Sequence, residues 1–356
     1  MPLDRRIQTL FGISVPIIQA PMAGAQGAPM AVAVSEAGGL GSLPGALLSV
    51  DAMRAELGLI RQRTAKPINL NFFCHRPPAP DAAREAAWRA RLLPYYVELE
   101  IDPAAPVPTS NRAPFDAAFC AVVEEFRPEV VSFHFGLPAP DLMDRVKATG
   151  ARVVSSATTA DEARWLEDHG ADAVIAQGYE AGGHRGIFLT DDVGQQPGLF
   201  ALLPQVVDAV EVPVIAAGGI ADARGIVAAF ALGASAVQIG TAYLFTPEAT
   251  ITPMHREALR EAKDDGTALT NLFTGRPARG LVNRLMREVG PLSTDAPAFP
   301  TAGGALMPLK AKAEAAGSAD FSSLWAGQAA SLGREMGAGD LTRTLWSVAL
   351  ERLRAG

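Results

Sequence analysis

Short apolar runs alternate with helix-like stretches eight times between Pro16 and Thr241, and that rhythm constrains the fold more than any other feature of the chain. The runs are residues 16–20 (PIIQA), 40–43, 67–73 (PINLNFF), 130–135 (VVSFHF), 153–157, 173–176, 213–217 (PVIAA) and 236–239. Runs this short and this apolar read as strands buried on both faces, as parallel sheets require. The stretches between them carry helix signals. Ser49 precedes a segment with Met53, Leu57 and Ile60 on one face, and Thr159 with Glu162 has capping-box spacing. Further helices are expected at 29–37, 115–126, 141–148, 199–210 and 222–232. The segments GADAVIAQG (170–178) and GASAVQIG (233–240) echo each other, as repeated strand–helix units would.

Eight such units in roughly 240 residues match a TIM (β/α)₈ barrel. A doubly wound open sheet would use fewer strands and carry its glycine fingerprint after the first. The barrel is therefore expected over 1–245, with a surface excursion at 74–113 that contains one helix near 82–93. Residues 246–286 are charged and read as mostly helical; Arg276, Arg279 and Arg284 could meet an anionic substrate or a phosphate, with a solvated helix face the default for most of them. The expected organisation is a helical lobe over the barrel mouth at 246–305, then C-terminal helices at 306–356 that return to the barrel.

With 49% hydrophobic residues over 356 positions, the chain can bury a large core, and a net charge of −7 argues against nucleic acid as a partner. Cys74 and Cys120 form neither a disulfide framework nor a metal cluster, and no histidine pair has metal-ligand spacing. The N-terminal stretch lacks a leader's apolar core, and no run reaches the ~18 apolar residues of a membrane helix. The expectation is a cytoplasmic protein with no membrane partner, a monomer or homodimer.

The candidate chemistry gathers at the C-terminal ends of the expected strands. After strand six comes QGYEAGGHRG (177–186), in which His184 stands among Gly178, Gly182, Gly183 and Gly186. Imidazole has the pKa range a general base at carbon needs. Glu180 is placed to orient it, to cap a turn or to meet a ligand, and the sequence leaves these open. His134 in strand four faces either the mouth or the wall; His75, His169 and His255 read as surface or helix-end residues.

After strands seven and eight come Ala217, Gly218 and Gly219, then Gln238, Ile239, Gly240 and Thr241. In barrels these two loops commonly hold a phosphate on backbone N–H groups and a helix start. Pro21, Met22 and Ala23, with Asn71 and Gln177, lie on the same rim and offer groups that donate and accept, as the edge of a flavin ring demands. Together they suggest flavin mononucleotide (FMN) across the mouth. Taken without catalysis, the same features describe a barrel that binds a phosphorylated small molecule.

Read as a set, PIIQAPMAG (16–24), PINLNFFCH (67–75), VVSFHFGLP (130–138), QGYEAGGHRG, AAGGI (216–220) and QIGT (238–241) resemble the nitronate monooxygenase family, formerly 2-nitropropane dioxygenases, in its class I-like branch. The resemblance covers nearly the whole chain. It implies an FMN enzyme that oxidises alkyl nitronates such as propionate 3-nitronate with O₂, giving a carbonyl compound and nitrite. It matches the family's base to His184 and its flavin contacts to Asn71, Gln177, Gly182, Gly219 and 238–241. His134, Met22, Glu180 and Phe299 are the expected substrate pocket. The segment 291–312 departs from the family in having no tyrosine, only Phe299, Met307, Lys310 and Lys312. The competing activity is an NAD(P)H-dependent FMN reductase of quinones or enoyl thioesters.

Overall fold

The computed structural model describes residues 4–108 and 112–355; residues 109–111, inside the expected excursion, and the extreme termini lie outside the described residues. The barrel strands are β1 (Ile17–Gln19), β2 (Gly41–Pro44), β3 (Ile68–Phe73), β4 (Val130–His134), β5 (Arg152–Ala157), β6 (Ala173–Gln177), β8 (Val214–Ala217) and β9 (Ala236–Ile239). All pair in parallel, in the order β1-β9-β8-β6-β5-β4-β3-β2. A parallel bridge between Ile18 and Leu40 joins the two ends, so the sheet closes on itself. Each of the eight expected runs is a strand of this barrel.

Alternation along each strand sorts side chains into two layers. Ile18, Val154, Ile175 and Ile215 fill the interior, closed from below by Ile7 and Phe11 of the helix Arg6–Phe11. Ile17, Val153, Val174 and Val237 face the surrounding helices. Ser49 caps the helix Val50–Arg63 through Ala52 N, as its sequence position suggests. Thr159 caps Ala160–Asp168 through Glu162 N. The carboxylate of Glu162 does not close the capping box. It accepts instead from Thr158 N (2.7 Å), Thr158 Oγ1 (2.6 Å) and Phe188 N (2.6 Å), tying the loop after β6 to the loop after β5.

The eighth barrel helix is the chain's last, Ala338–Ala355, which packs between Ala223–Ala231 and Ala28–Glu36 and buries Leu341, Leu345 and Ala349. Residues 246–337 are thus inserted between β9 and that helix. They are less helical than the sequence suggests. Beside the helices Pro253–Arg260, Arg284–Val289 and Met307–Ala315, they form β10 (Thr267–Thr270) and β11 (Ala278–Leu281). These strands pair antiparallel, and β11 also pairs with β7 (Gly183–His184). The helix of the excursion also extends beyond expectation, from Ala82 through Pro94 to Glu98. It buries Trp88, Leu92, Tyr95 and Tyr96 against the inserted segment, with Trp88 Nε1 donating to Ala302 O (3.0 Å) and Tyr96 OH to Ala305 O (2.6 Å). That burial outweighs the helix-breaking cost of the proline.

Candidate active site

The inward positions of the last strand residues converge on one cavity of ≈ 390 Å³ at the C-terminal ends of the strands. Asn71, Ser132, His134, Ser156, Gln177, Ala217 and Gln238 all reach it by the period-two rule. Pro21, Met22, Ala23, Gly182, Gly183, Gly218, Gly219, Gly240 and Thr241 line it from the loops. Ile239 does not. It is one residue out of phase with Gln238, and its side chain lies in the outer layer against the helices.

His184 stands in the cavity wall on β7, held in register with Ala278 of β11. Its Nε2 is 3.0 Å from Thr274 Oγ1. Phe299 (5.4 Å between ring centroids), Trp325 (5.6 Å), Phe73 (5.9 Å) and Phe135 (6.0 Å) surround the ring. Phe135 has φ +70°, a left-handed backbone unusual for a bulky residue and typical of strained functional loops. Burial and the positive charges of Arg112 and Arg276 hold His184 well below the usual histidine pKa, so the ring is neutral near neutral pH.

The backbone behind this ring is braced by groups that also face the cavity. Gln177 Nε2 donates to His184 O (3.0 Å), and its Oε1 accepts from Gly186 N (2.7 Å). His134 lines the cavity, and its Nε2 lies 3.0 Å from the same carbonyl. Since a carbonyl only accepts, His134 carries its proton on Nε2 and takes the Ser156 hydroxyl on Nδ1 (3.1 Å). Burial pushes its pKa down to about 4.

Arg185, fully buried, completes the brace, with Nε on Gln196 Oε1 (2.6 Å), Nη1 on Gly178 O (2.6 Å) and Nη2 on Gln177 O (2.8 Å). The sequence reading gave it no role.

Glu180 neither orients His184 nor lines the cavity. Both carboxylate oxygens accept from Leu199 N (2.9 and 2.8 Å), capping the helix Leu199–Val207. Phe299 touches His184 from behind and is likewise outside the cavity lining. Arg279 is buried, not solvated, and donates from Nε to Tyr179 O (3.1 Å); Arg276 stacks 4.1 Å from the Phe135 ring centre. Arg284 does sit at the surface, paired with Glu98.

Two histidines expected outside are inside. His75 packs edge-on against Phe299 (4.7 Å), and His255 lines the cavity beside Trp325 and Lys310. Burial lowers both to a pKa of about 4. Arg112, contributed by the excursion, is a further cavity residue that the sequence reading missed. His255 and Arg112 reach the site from remote segments, so no local pattern marks them, whereas His75 directly follows β3. Burial raises the pKa of the Cys74 thiol, consistent with a structural residue.

The rest of the cavity lining offers unspent hydrogen-bonding groups. Asn71 uses Nδ2 on Ser132 O and Oγ, which leaves Oδ1 as an acceptor. The turn after β8 has φ +110° at Gly218 and +68° at Gly219, so bare backbone faces the cavity there. The start of the helix Ala223–Ala231 is not available to an anion, because the Asp222 carboxylate already accepts from Arg224 N and Gly225 N. The turn N–H groups, the Thr241 hydroxyl and the start of the short helix Thr241–Phe245, which has no side-chain cap, remain.

This arrangement has known relatives. The family model described as nitronate monooxygenase matches residues 4–347. Nitronate monooxygenase of Pseudomonas aeruginosa is 45% identical over 96% of this chain and 97% of its own length. The chain belongs to the nitronate monooxygenase family. That of Paraburkholderia phytofirmans is 42% identical over 96% of this chain and 94% of its own. Among solved structures, nitroalkane oxidase from Streptomyces ansochromogenes superposes with a TM-score of 0.88 at 40% identity, covering 98% of this chain and 99% of that one. FabK from Thermotoga maritima follows with a TM-score of 0.72 at 28% identity, covering 99% of each. Membership of the nitronate monooxygenase family makes the chain an oxidoreductase that acts on small nitronates. No helix among the described residues is long and apolar enough to cross a membrane.

Proposed function

We propose that this enzyme oxidises alkyl nitronates, propionate 3-nitronate among them, with O₂ to a carbonyl compound and nitrite, using FMN and with His184 as base. The single observation that carries the reading is a neutral, desolvated imidazole in the wall of a cavity lined elsewhere by bare glycine turns and amide side chains.

The residues present fit a flavin mononucleotide. A Cβ at Gly183 would enter open space, so that stretch of wall is kept clear for something flat. Asn71 Oδ1 and the Gln238 amide suit the polar edge of the ring, and Pro21, Met22 and Ala23 present backbone and an apolar face beside it. The turns at Gly218–Gly219 and Gly240–Thr241 suit the phosphate. When bound, the flavin supplies the one-electron chemistry that brings nitronate and O₂ together. Everything else falls to the protein. Neutral His184 accepts the α-proton of an entering nitroalkane, and the aromatic rings around it keep bulk water from competing. A preformed nitronate needs no proton removed, and its negative charge is favoured by Arg112 in the cavity lining.

The alternative reductase activity predicts that NADH bleaches the bound flavin rapidly without oxygen. An aerobic assay with propionate 3-nitronate, following oxygen uptake and nitrite, tests the proposal; oxygen uptake without NADH supports it, and turnover only with NADH overturns it.

A further inference from the structure

The proton-accepting atom of His184 follows from what its other nitrogen touches. Thr274 lies in the loop between β10 and β11 and is buried. The pairing of Ala278 with His184, with Arg185 N donating to Pro277 O (2.9 Å), fixes that loop against β7. Thr274 Oγ1 then sits 3.0 Å from His184 Nε2. The same hydroxyl lies 3.3 Å from Arg276 O, an atom that only accepts, and Arg276 N points back at it from 3.5 Å. Donating its proton to Arg276 O leaves the Thr274 oxygen a lone pair toward the imidazole. His184 Nδ1 has no hydrogen-bond partner among the described residues.

We infer that Thr274 is a positioning residue that holds His184 in the Nε2–H tautomer, leaving the Nδ1 lone pair as the base that faces substrate. The inference rests on the reading of His184 as base. In the step it describes, the α C–H bond of the nitroalkane breaks and its electron pair enters the C=N bond of the nitronate. The proton forms Nδ1–H, and Nε2–H keeps its bond to Thr274 throughout. The opposite tautomer would present an N–H donor to the substrate and could not accept that proton.

The test uses the flavin-loaded protein with ¹⁵N-labelled histidine, wild type beside Thr274→Val and Thr274→Ser. His184→Asn identifies the signals of this one ring among five histidines. The expected wild-type spectrum has His184 protonated at Nε2 and bare at Nδ1, and Thr274→Ser keeps it. Thr274→Val should lose about 10- to 100-fold in kcat/KM on neutral nitroethane, as losses of an orienting hydrogen bond do. Preformed ethyl nitronate should change little, and serine should restore nitroethane turnover.

A wild-type ring protonated at Nδ1 overturns the inference, as does a folded Thr274→Val enzyme with unaltered rates and pH profile. Failure of the underlying reading looks different, because His184→Asn would then lose equally on both substrates whatever the tautomer.

Discussion

The ring of His134 is hydrogen-bonded to the main chain of His184, its Nε2 lying 3.0 Å from the His184 carbonyl, while Gln177 donates to the same oxygen. Two side chains at the ends of β4 and β6, strands separated by β5, thus converge on one backbone atom of the candidate base. A two-residue strand in a glycine-rich loop has little stability of its own, and such braces hold a side chain to within the tolerance catalysis needs.

His134→Leu removes one of the two donors and leaves a buried carbonyl half-satisfied. The variant should keep its flavin and fall by about tenfold in kcat/KM on nitroethane, since small misplacements of a catalytic group are costly. Steady-state kinetics beside the flavin absorbance checks this.

Arg185→Lys should be destabilising in spite of conserving charge. Three acceptors are matched by the fork of the guanidinium, and one ammonium cannot reach all of them. A loss of about 2–4 kcal/mol is expected from buried acceptors left unpaired, read by denaturant unfolding.

Gly219→Val should empty the site of flavin. At φ +68° any side chain is strained, and its Cβ would stand 3.3 Å from that of Glu180. The strain of about 1–3 kcal/mol opens the turn that would hold the phosphate. Flavin released per chain on denaturation, identified by chromatography, is the readout.

The barrel was legible because parallel strands buried on both faces announce themselves as short apolar runs, as in Val174–Ala176 between Asp172 and Gly178. Asn71, Gln177 and Gln238, read at the ends of the same strands, line the cavity, while the Ile239 side chain packs in the outer layer. The strands Thr267–Thr270 and Ala278–Leu281 were not legible, since their partners are each other and the short Gly183–His184 segment rather than any continuous apolar face. For Glu180 the sequence left orienting His184, capping a turn and meeting a ligand open; the chain turns it onto the helix start at Leu199. His255 and Arg112 are brought inward by tertiary packing, which local patterns do not encode, while His75 directly follows β3 and is covered by Phe299.

Acid should weaken the fold ahead of its carboxylates. His75, His134 and His255 are lowered to about 4 and His184 is lowered well below 6.5, so unfolding takes up protons between roughly pH 6.5 and 4. Stability is therefore full above 6.5 and falls as pH drops through that window, by up to about 1.4 kcal/mol per pH unit for each deferred proton. Thermal unfolding from pH 7 to pH 5 measures the slope. Arg112→Met removes a charge that opposes protonation of His184, so the acid limb of nitroethane turnover should move up toward 6.5.

The most direct measurement compares His184→Asn with wild type on neutral nitroethane and on preformed ethyl nitronate at the same pH. A base that removes the α-proton predicts a loss of about 100- to 10,000-fold on nitroethane, with much of the nitronate activity retained. Equal losses on the two substrates would contradict that role.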